Sequence, residues 1–388
     1  MTTVASVDLA AQTDALTMDD LRGRGSWKWS TVPAGVIGAG IAEMDLPLAP
    51  CIIAAVGSAV DRGLTGYLPP WLGREVAEAT STFQQRYGWN IDPADVHVVP
   101  DVLNALEQTV RHLLDPDPLV VLPTPAYMPF LRMPGALGWP LVTAPMSLGV
   151  NGYEFDLDHL SRVLRPGALL VLTNPHNPTG RVFTAAELHA LAAVVHATGA
   201  TVFADEIHAA LVYPGHTHLP YASLSAIAAG HTVTATSASK AWNVPGLACA
   251  QLILTGENAR ARWAKTDPEV AHGASPLGAA AAIAAYTDGA DHLAAVLDYL
   301  DRGRLIFAET LADSLPEASF RPPEGTYLGW LDLRPAGCDP ADVKTLAGVL
   351  GVNGRACGEP GHLRLNLATP HHVVREMAGR LAACRPVV

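Results

Sequence analysis

The chain has 388 residues, 49% of them hydrophobic and 16% charged, with a formal net charge of −12. That apolar content excludes a disordered chain and leaves room for one large or two ordinary domains with filled cores. The acidic balance, with no basic patch or arm, speaks against binding to nucleic acid or to an anionic membrane.

No run of 18 consecutive apolar residues is present, and the first thirty residues carry acids where a secretory signal needs a basic start and an apolar centre. A soluble cytoplasmic protein is therefore expected. The cysteines, Cys51, Cys249, Cys338, Cys357 and Cys384, are scattered and form no CxxC pair. Neither a disulfide framework nor a metal site is expected of them. Only four of the 25 basic residues are lysines, Lys28, Lys240, Lys265 and Lys344, which makes each conspicuous.

Residues 36–43 read VIGAGIAE, a superficial match to the glycine-rich turn of dinucleotide-binding enzymes. That turn must follow a buried strand and open a helix, whose N-terminus carries the pyrophosphate. Here Pro33 and Gly35 shorten the strand, Glu43 takes the place of the third glycine, and Pro47 and Pro50 stop a helix. A structural, glycine-rich entry to an active site is the preferred reading.

Short apolar runs follow at 96–99, 119–122, 169–172, 201–204, 232–236 and 251–254. Most lack polar alternation, as strands covered on both faces do. Between two of them, Thr184 to Glu187 forms a capping box, Leu188, Leu191, Val194 and Val195 recur at helical spacing, and Gly199 closes the segment. This strand-helix-strand unit predicts a right-handed crossover and a mostly parallel sheet. Beyond Gly325 the pattern changes to GTYLGWLDL, a helix opened by Asp339 and Pro340, the strand HLRLNLATP, and a terminal helix with Met377 and Leu381. It reads as a smaller α+β layer.

Four segments place reactive residues just past predicted strands, where open α/β sheets build their sites: NPHNPTG (174–180), DEIH (205–208), SASK (237–240) and RLNLATP (364–370). Lys240 sits among small hydroxyls and Trp242; it is either a surface lysine or a desolvated amine suited to a Schiff base. Ser237 and Ser239 are candidate donors to a phosphate. Asp205 is either a helix cap or the carboxylate that keeps a pyridine nitrogen protonated. Asn177 is a turn residue or a donor to a ring oxygen, and His208 a structural histidine or a neighbour of the same ring. Arg364, on an apolar strand, requires an anion: an internal carboxylate or a substrate's.

The order AEMDLPLAP, GYLPP, NPHNPTGRVF, DEIHAALVY, SASKAWNVPGL, PEGTYLGWLDLR and RLNLATP resembles the class I/II aminotransferase superfamily of fold-type I enzymes dependent on pyridoxal 5′-phosphate (PLP). The match is strongest to its MalY/PatB branch of cystathionine β-lyase-like C–S lyases. The resemblance runs from about residue 35 to the end and implies an α/β fold with a mostly parallel seven-stranded sheet. It implies an arm and small-domain segment at 1–50, a large PLP-binding domain at 51–280, and a linking helix with a C-terminal small domain at 281–388.

It further implies that Lys240 holds PLP as a Schiff base, Asp205 pairs with the pyridine nitrogen, Asn177 contacts the ring hydroxyl with His208 nearby, and Tyr127 stacks on the ring. The phosphate would rest on the amides of Val102 and Leu103 and on Ser237 and Ser239. Tyr67 would reach it from the neighbouring subunit of a homodimer. Arg364 would bind the substrate carboxylate, with Tyr67, Asn177 and Gly40 lining the substrate site. Two departures stand out. Asp101 and Ala248 replace a glycine and a cation expected near the phosphate, and Gly40 and Glu43 replace a tryptophan and an aspartate near the substrate entrance. The activity implied is β-elimination from cystathionine or another S-substituted cysteine. The alternatives are an aminotransferase with the same residues and a regulatory protein on the same fold.

Overall fold

The computed structural model describes residues 9–267 and 273–385; the first eight residues of the expected arm and the last three of the C-terminal segment lie outside the described residues. Two helices lead in, α1 (Pro50–Asp61) and α2 (Pro70–Gln84), each opened by proline at its first turn, where the missing N–H costs nothing.

The strands and helices that follow are β1 (Val96–Val99), α3 (Val102–Gln108), β2 (Val120–Thr124), α4 (Met128–Leu137), β3 (Leu141–Pro145), β4 (Leu169–Thr173), α5 (Ala185–Thr198), β5 (Thr201–Asp205), β6 (Thr232–Thr236) and β7 (Ala250–Leu254). They form one seven-stranded sheet in the order β1-β7-β6-β5-β4-β2-β3. Only β7 runs against its neighbours. β2, β4, β6 and β7 are buried at every position, as strands covered on both faces are, with Thr232, Thr234, Thr236 and Gln251 as buried polar residues within the last two. Thr184 and Glu187 complete the capping box of α5, and Gly199 ends it at φ +70°, a conformation that favours glycine.

The alanine-rich α6 (Pro276–Asp288) packs on α1 and α2, and the 25-residue α7 (Ala290–Ser314) carries the chain to the smaller layer. There β8 (Leu328–Asp332) and β9 (His362–Asn366) pair antiparallel, flanked by the two-residue strands Ser319–Phe320 and Val352–Asn353. α8 (His371–Arg380) packs against α7. Two expectations shift here. The Asp339 carboxylate caps a turn at Ala341, so the helix starts later, at Val343. Leu381 belongs to the 3-10 turn that follows α8.

The glycine-rich stretch opens no helix. Ile37 and Gly38 instead pair parallel with Val349 and Leu350, which ties the N-terminal segment to the smaller layer. Among the described residues no helix is long and apolar enough to cross a membrane.

Candidate active site

The loops after β2, β4, β5 and β6, all at one end of the sheet, meet the segment 40–43 and the strand β9 around a cavity of about 610 Å³. Of the residues singled out by sequence, Gly40, Val102, Leu103, Tyr127, Asn177, Asp205, His208, Ser237, Ser239, Lys240 and Arg364 line it. Tyr67 does not; it lies on the surface, 90% exposed. A second cavity of about 510 Å³, beside His97 and Trp263, contains none of them.

Lys240 lies in the turn after β6, and its Nζ donates to the Ala42 carbonyl at 3.0 Å. Desolvation first, and then the positive charge of Arg364, pull its pKa from 10.5 to about 8, with Asp205 and Glu43 opposing. Asp205, at the end of β5, is buried, and its carboxylate accepts from the Ile207 amide at 3.2 Å. Burial raises its pKa to about 7 against the pull of that amide and of Lys240. His208 is buried, its Nδ1 has no partner, and burial together with the charges of Lys240 and Arg364 depresses its pKa to about 3. It is therefore a neutral imidazole, edge-on to Tyr327 with ring centroids 6.0 Å apart.

Arg364 is also buried. Nη1 donates to Asn177 Oδ1 and Nη2 to the Gly40 carbonyl, both at 2.9 Å, while Nε is left without a partner. Among the described residues it has no carboxylate partner, so the internal ion pair that the sequence left open is not formed. Tyr127 precedes α4, lines the cavity and packs perpendicular to the Phe130 ring, with centroids 5.5 Å apart.

At the other end, Val102 and Leu103 begin α3, where the first amides of a helix have no intrahelical acceptor. Asp101, which the sequence marks as a misplaced acid, caps this helix through Oδ1 to the Asn104 amide at 2.8 Å. The Ser237 hydroxyl is committed to the Cys249 carbonyl and accepts the Ser239 amide, so Ser239 is the freer hydroxyl. Ala248 stays out of the cavity lining, whose cations are Arg132, Lys240 and Arg364.

Sequence reasoning missed what holds the segment 40–45. Asn366 Nδ2 donates to the Ile41 and Glu43 carbonyls, Tyr327 to the Ala42 carbonyl, and Asn243 brackets Met44 through its amide and carbonyl. Lys28, buried, pairs with Asp45 at 2.7 Å, and Trp29 Nε1 donates to the same carboxylate. A signal for Asn366 was available: two residues after Arg364 on a strand, it shares that residue's face.

The donor set fits PLP: an amine of lowered pKa, a buried carboxylate with one hydrogen bond, an aromatic wall, helix-start amides and an unpartnered imidazole nitrogen surround one cavity. Comparison with known proteins agrees. The model of the family aminotransferase class I and II matches residues 34–381. The cystathionine β-lyase of Corynebacterium glutamicum is 32% identical over 94% of this chain and 98% of its own. The cystathionine β-lyase PatB of Bacillus subtilis is 30% identical over 78% of this chain and 79% of its own. The crystal structure of cystalysin from Treponema denticola, which contains PLP, superposes with a TM-score of 0.86 at 25% identity, covering 95% of this chain and 96% of that one. With a family model matched across both layers and lyase relatives aligned along most of its length, the chain belongs to the aminotransferase class I and II family, on its MalY/PatB-like branch.

Proposed function

We propose that this protein is a PLP-dependent C–S β-lyase that converts cystathionine, or a related S-substituted cysteine, and water to a thiol, pyruvate and ammonia. The observation that carries the reading is the convergence of Lys240, Asp205 and Arg364 on one cavity. The cystathionine β-lyase names of its relatives support the choice of reaction.

PLP, when bound, supplies an electron sink for the charge that develops at the substrate's α-carbon. Lys240 would hold its carbonyl carbon, Asp205 its ring nitrogen, Asn177 its ring hydroxyl beside His208, and Tyr127 its ring face. The amides of Val102 and Leu103 with Ser239 would hold its phosphate, Ser237 acting by shaping the turn. Arg364 binds the substrate carboxylate: its two Nη atoms are held in place, and its orphan Nε calls for an acceptor.

Lys240 Nζ, with its pKa near 8, is partly unprotonated at neutral pH and takes the proton from the α-carbon. The β C–S bond then breaks, the thiolate departs with the bonding pair, and the proton taken up by Lys240 Nζ is available to it. The buried Asp205 carboxylate would hold a protonated ring nitrogen by pairing with it, which would also offset the cost of burying the carboxylate.

The proposal includes a homodimer with shared sites. Tyr67, outside the cavity of its own chain, and the exposed Ile53 and Val60 of α1 support it. It also includes a cytoplasmic location, which the free thiols of all five cysteines suit.

A thiol-reagent assay on cystathionine tests the reading. Thiol release matched by pyruvate is expected of wild type, with a loss of about 10²–10⁴-fold in Lys240→Ala. Amino-group transfer to a 2-oxo acid with no thiol would assign the aminotransferase activity instead.

A further inference from the structure

We infer that Glu43 selects the departing half of the substrate by pairing its carboxylate with an ammonium group on the thiol that leaves. The inference rests on the lyase reading above and names the substituent that this site favours.

Glu43 lines the cavity and is half-buried. Its backbone is fixed: the Ala42 carbonyl accepts from Lys240 Nζ and from the Tyr327 hydroxyl, both at 3.0 Å, and the Glu43 carbonyl accepts from Asn366 Nδ2 at 2.6 Å. Its carboxylate, by contrast, has no hydrogen bond or ion pair among the described residues. A partly desolvated carboxylate in a binding cavity, held on a rigid backbone and left without a protein partner, is complementary to a cationic ligand group. The negative charge is close to the chemistry, since it bears on Lys240 and on the Tyr327 hydroxyl.

Space for a long substituent lies beside it. Gly40 lines the same wall, and a Cβ there would meet the Leu350 carbonyl oxygen at 3.6 Å and the Gly351 carbonyl carbon at 3.7 Å, which are ordinary contacts. Nothing in the backbone demands glycine at that position. A Cβ there would face Leu350 and Gly351, neither of which lines the cavity, so the room for a sulfur substituent is that of the cavity itself, about 610 Å³. The reacting half's own amine belongs beside Lys240, and its carboxylate beside Arg364. The ammonium read by Glu43 is therefore one carried on the sulfur substituent.

Two substrates differing in one group test this: cystathionine, and S-(3-carboxypropyl)cysteine, which has the same skeleton without the distal amine. The wild-type holoenzyme is expected to favour cystathionine in kcat/KM by about tenfold or more. In Glu43→Gln that ratio falls toward one through a rise in KM for cystathionine, and Glu43→Asp keeps part of the preference. A ratio unchanged in Glu43→Gln, or an equal fall for both substrates, overturns the proposal, because Glu43 would then only tune Lys240 or hold the loop.

A binding measurement separates this claim from the lyase reading. Calorimetric titration of the holoenzyme with the sulfur-free analogue 2,7-diaminooctanedioate and with 2-aminooctanedioate is expected to show a wild-type preference for the diamine that Glu43→Gln loses. If neither thioether is cleaved, the lyase reading fails while the titration still decides the role of Glu43. If the wild type binds both analogues equally, the role assigned to Glu43 fails whatever the reaction.

Discussion

Arg364 and Asn177 stand 187 positions apart in the chain, and Nη1 of the arginine donates to Oδ1 of the asparagine over 2.9 Å. The bond joins β9 of the smaller layer to the loop after β4 of the large sheet, and it leaves Nδ2 as the donor that Asn177 presents to the cavity. The residue proposed to hold the substrate is thereby coupled to one proposed to hold the cofactor.

Arg364→Lys is expected to raise KM for the amino-acid substrate by about 10–100-fold, because an ammonium cannot span Asn177, the Gly40 carbonyl and a carboxylate as the guanidinium fork does. Steady-state kinetics at fixed pH measure it. An unchanged KM would move the carboxylate site elsewhere.

Asp205 links the site to stability through pH. Its folded-state pKa of about 7 lies above the ordinary 3.8, so between those values the folded protein binds a proton that the unfolded chain has released. Its burial penalty is thus absent below the lower value and complete above the higher one. Cofactor-free Asp205→Asn is expected to gain roughly 2–4 kcal/mol over wild type near pH 8, seen as a melting point a few degrees higher, and nothing near pH 3. The same variant should lose turnover by on the order of 10²–10³-fold. Thermal melts at the two pH values check the sign.

The ion pair of Lys28 with Asp45 anchors the segment that carries Gly40 and Glu43. Both side chains are nearly inaccessible, so Lys28→Met strands a buried carboxylate and is expected to cost about 3–5 kcal/mol. Gly38→Ala reaches the same anchor from the other side. The new Cβ would lie 2.1 Å from the Lys28 carbonyl oxygen, and a cost of roughly 1–3 kcal/mol is expected from the backbone shift. Denaturant unfolding measures both.

If two copies share their sites, Tyr67→Ala should weaken PLP binding about tenfold while leaving the monomer fold intact. Spectral titration with PLP and sedimentation velocity separate the effects. A monomer that binds PLP tightly would remove Tyr67 from the site.

Much of this was legible because the relevant signals are local. Six apolar runs each correspond to a strand of the large sheet, and Thr184, Glu187 and Gly199 mark both ends of α5. The seventh strand, β3, escaped because it lies at the sheet edge, is only partly buried, and is bounded by Pro140 and Pro145. The reversed direction of β7 left no trace either, since a strand buried on both faces reads the same both ways. In the site, residues that end strands were visible from position alone. The Lys28–Asp45 pair was not, because its importance depends on partners far along the chain. Asp101 read as an intruder because its sequence shows its charge and conceals the helix start that it caps.

The central claim is that bound substrate loses its β-thiolate instead of exchanging its amino group. The direct measurement is one proton NMR time course on holoenzyme with cystathionine and 2-oxoglutarate in the same tube. Pyruvate and the departing thiol are expected to rise in equal amounts, with glutamate negligible. Glutamate rising with the 2-oxo acid of intact cystathionine, and no pyruvate, would contradict it.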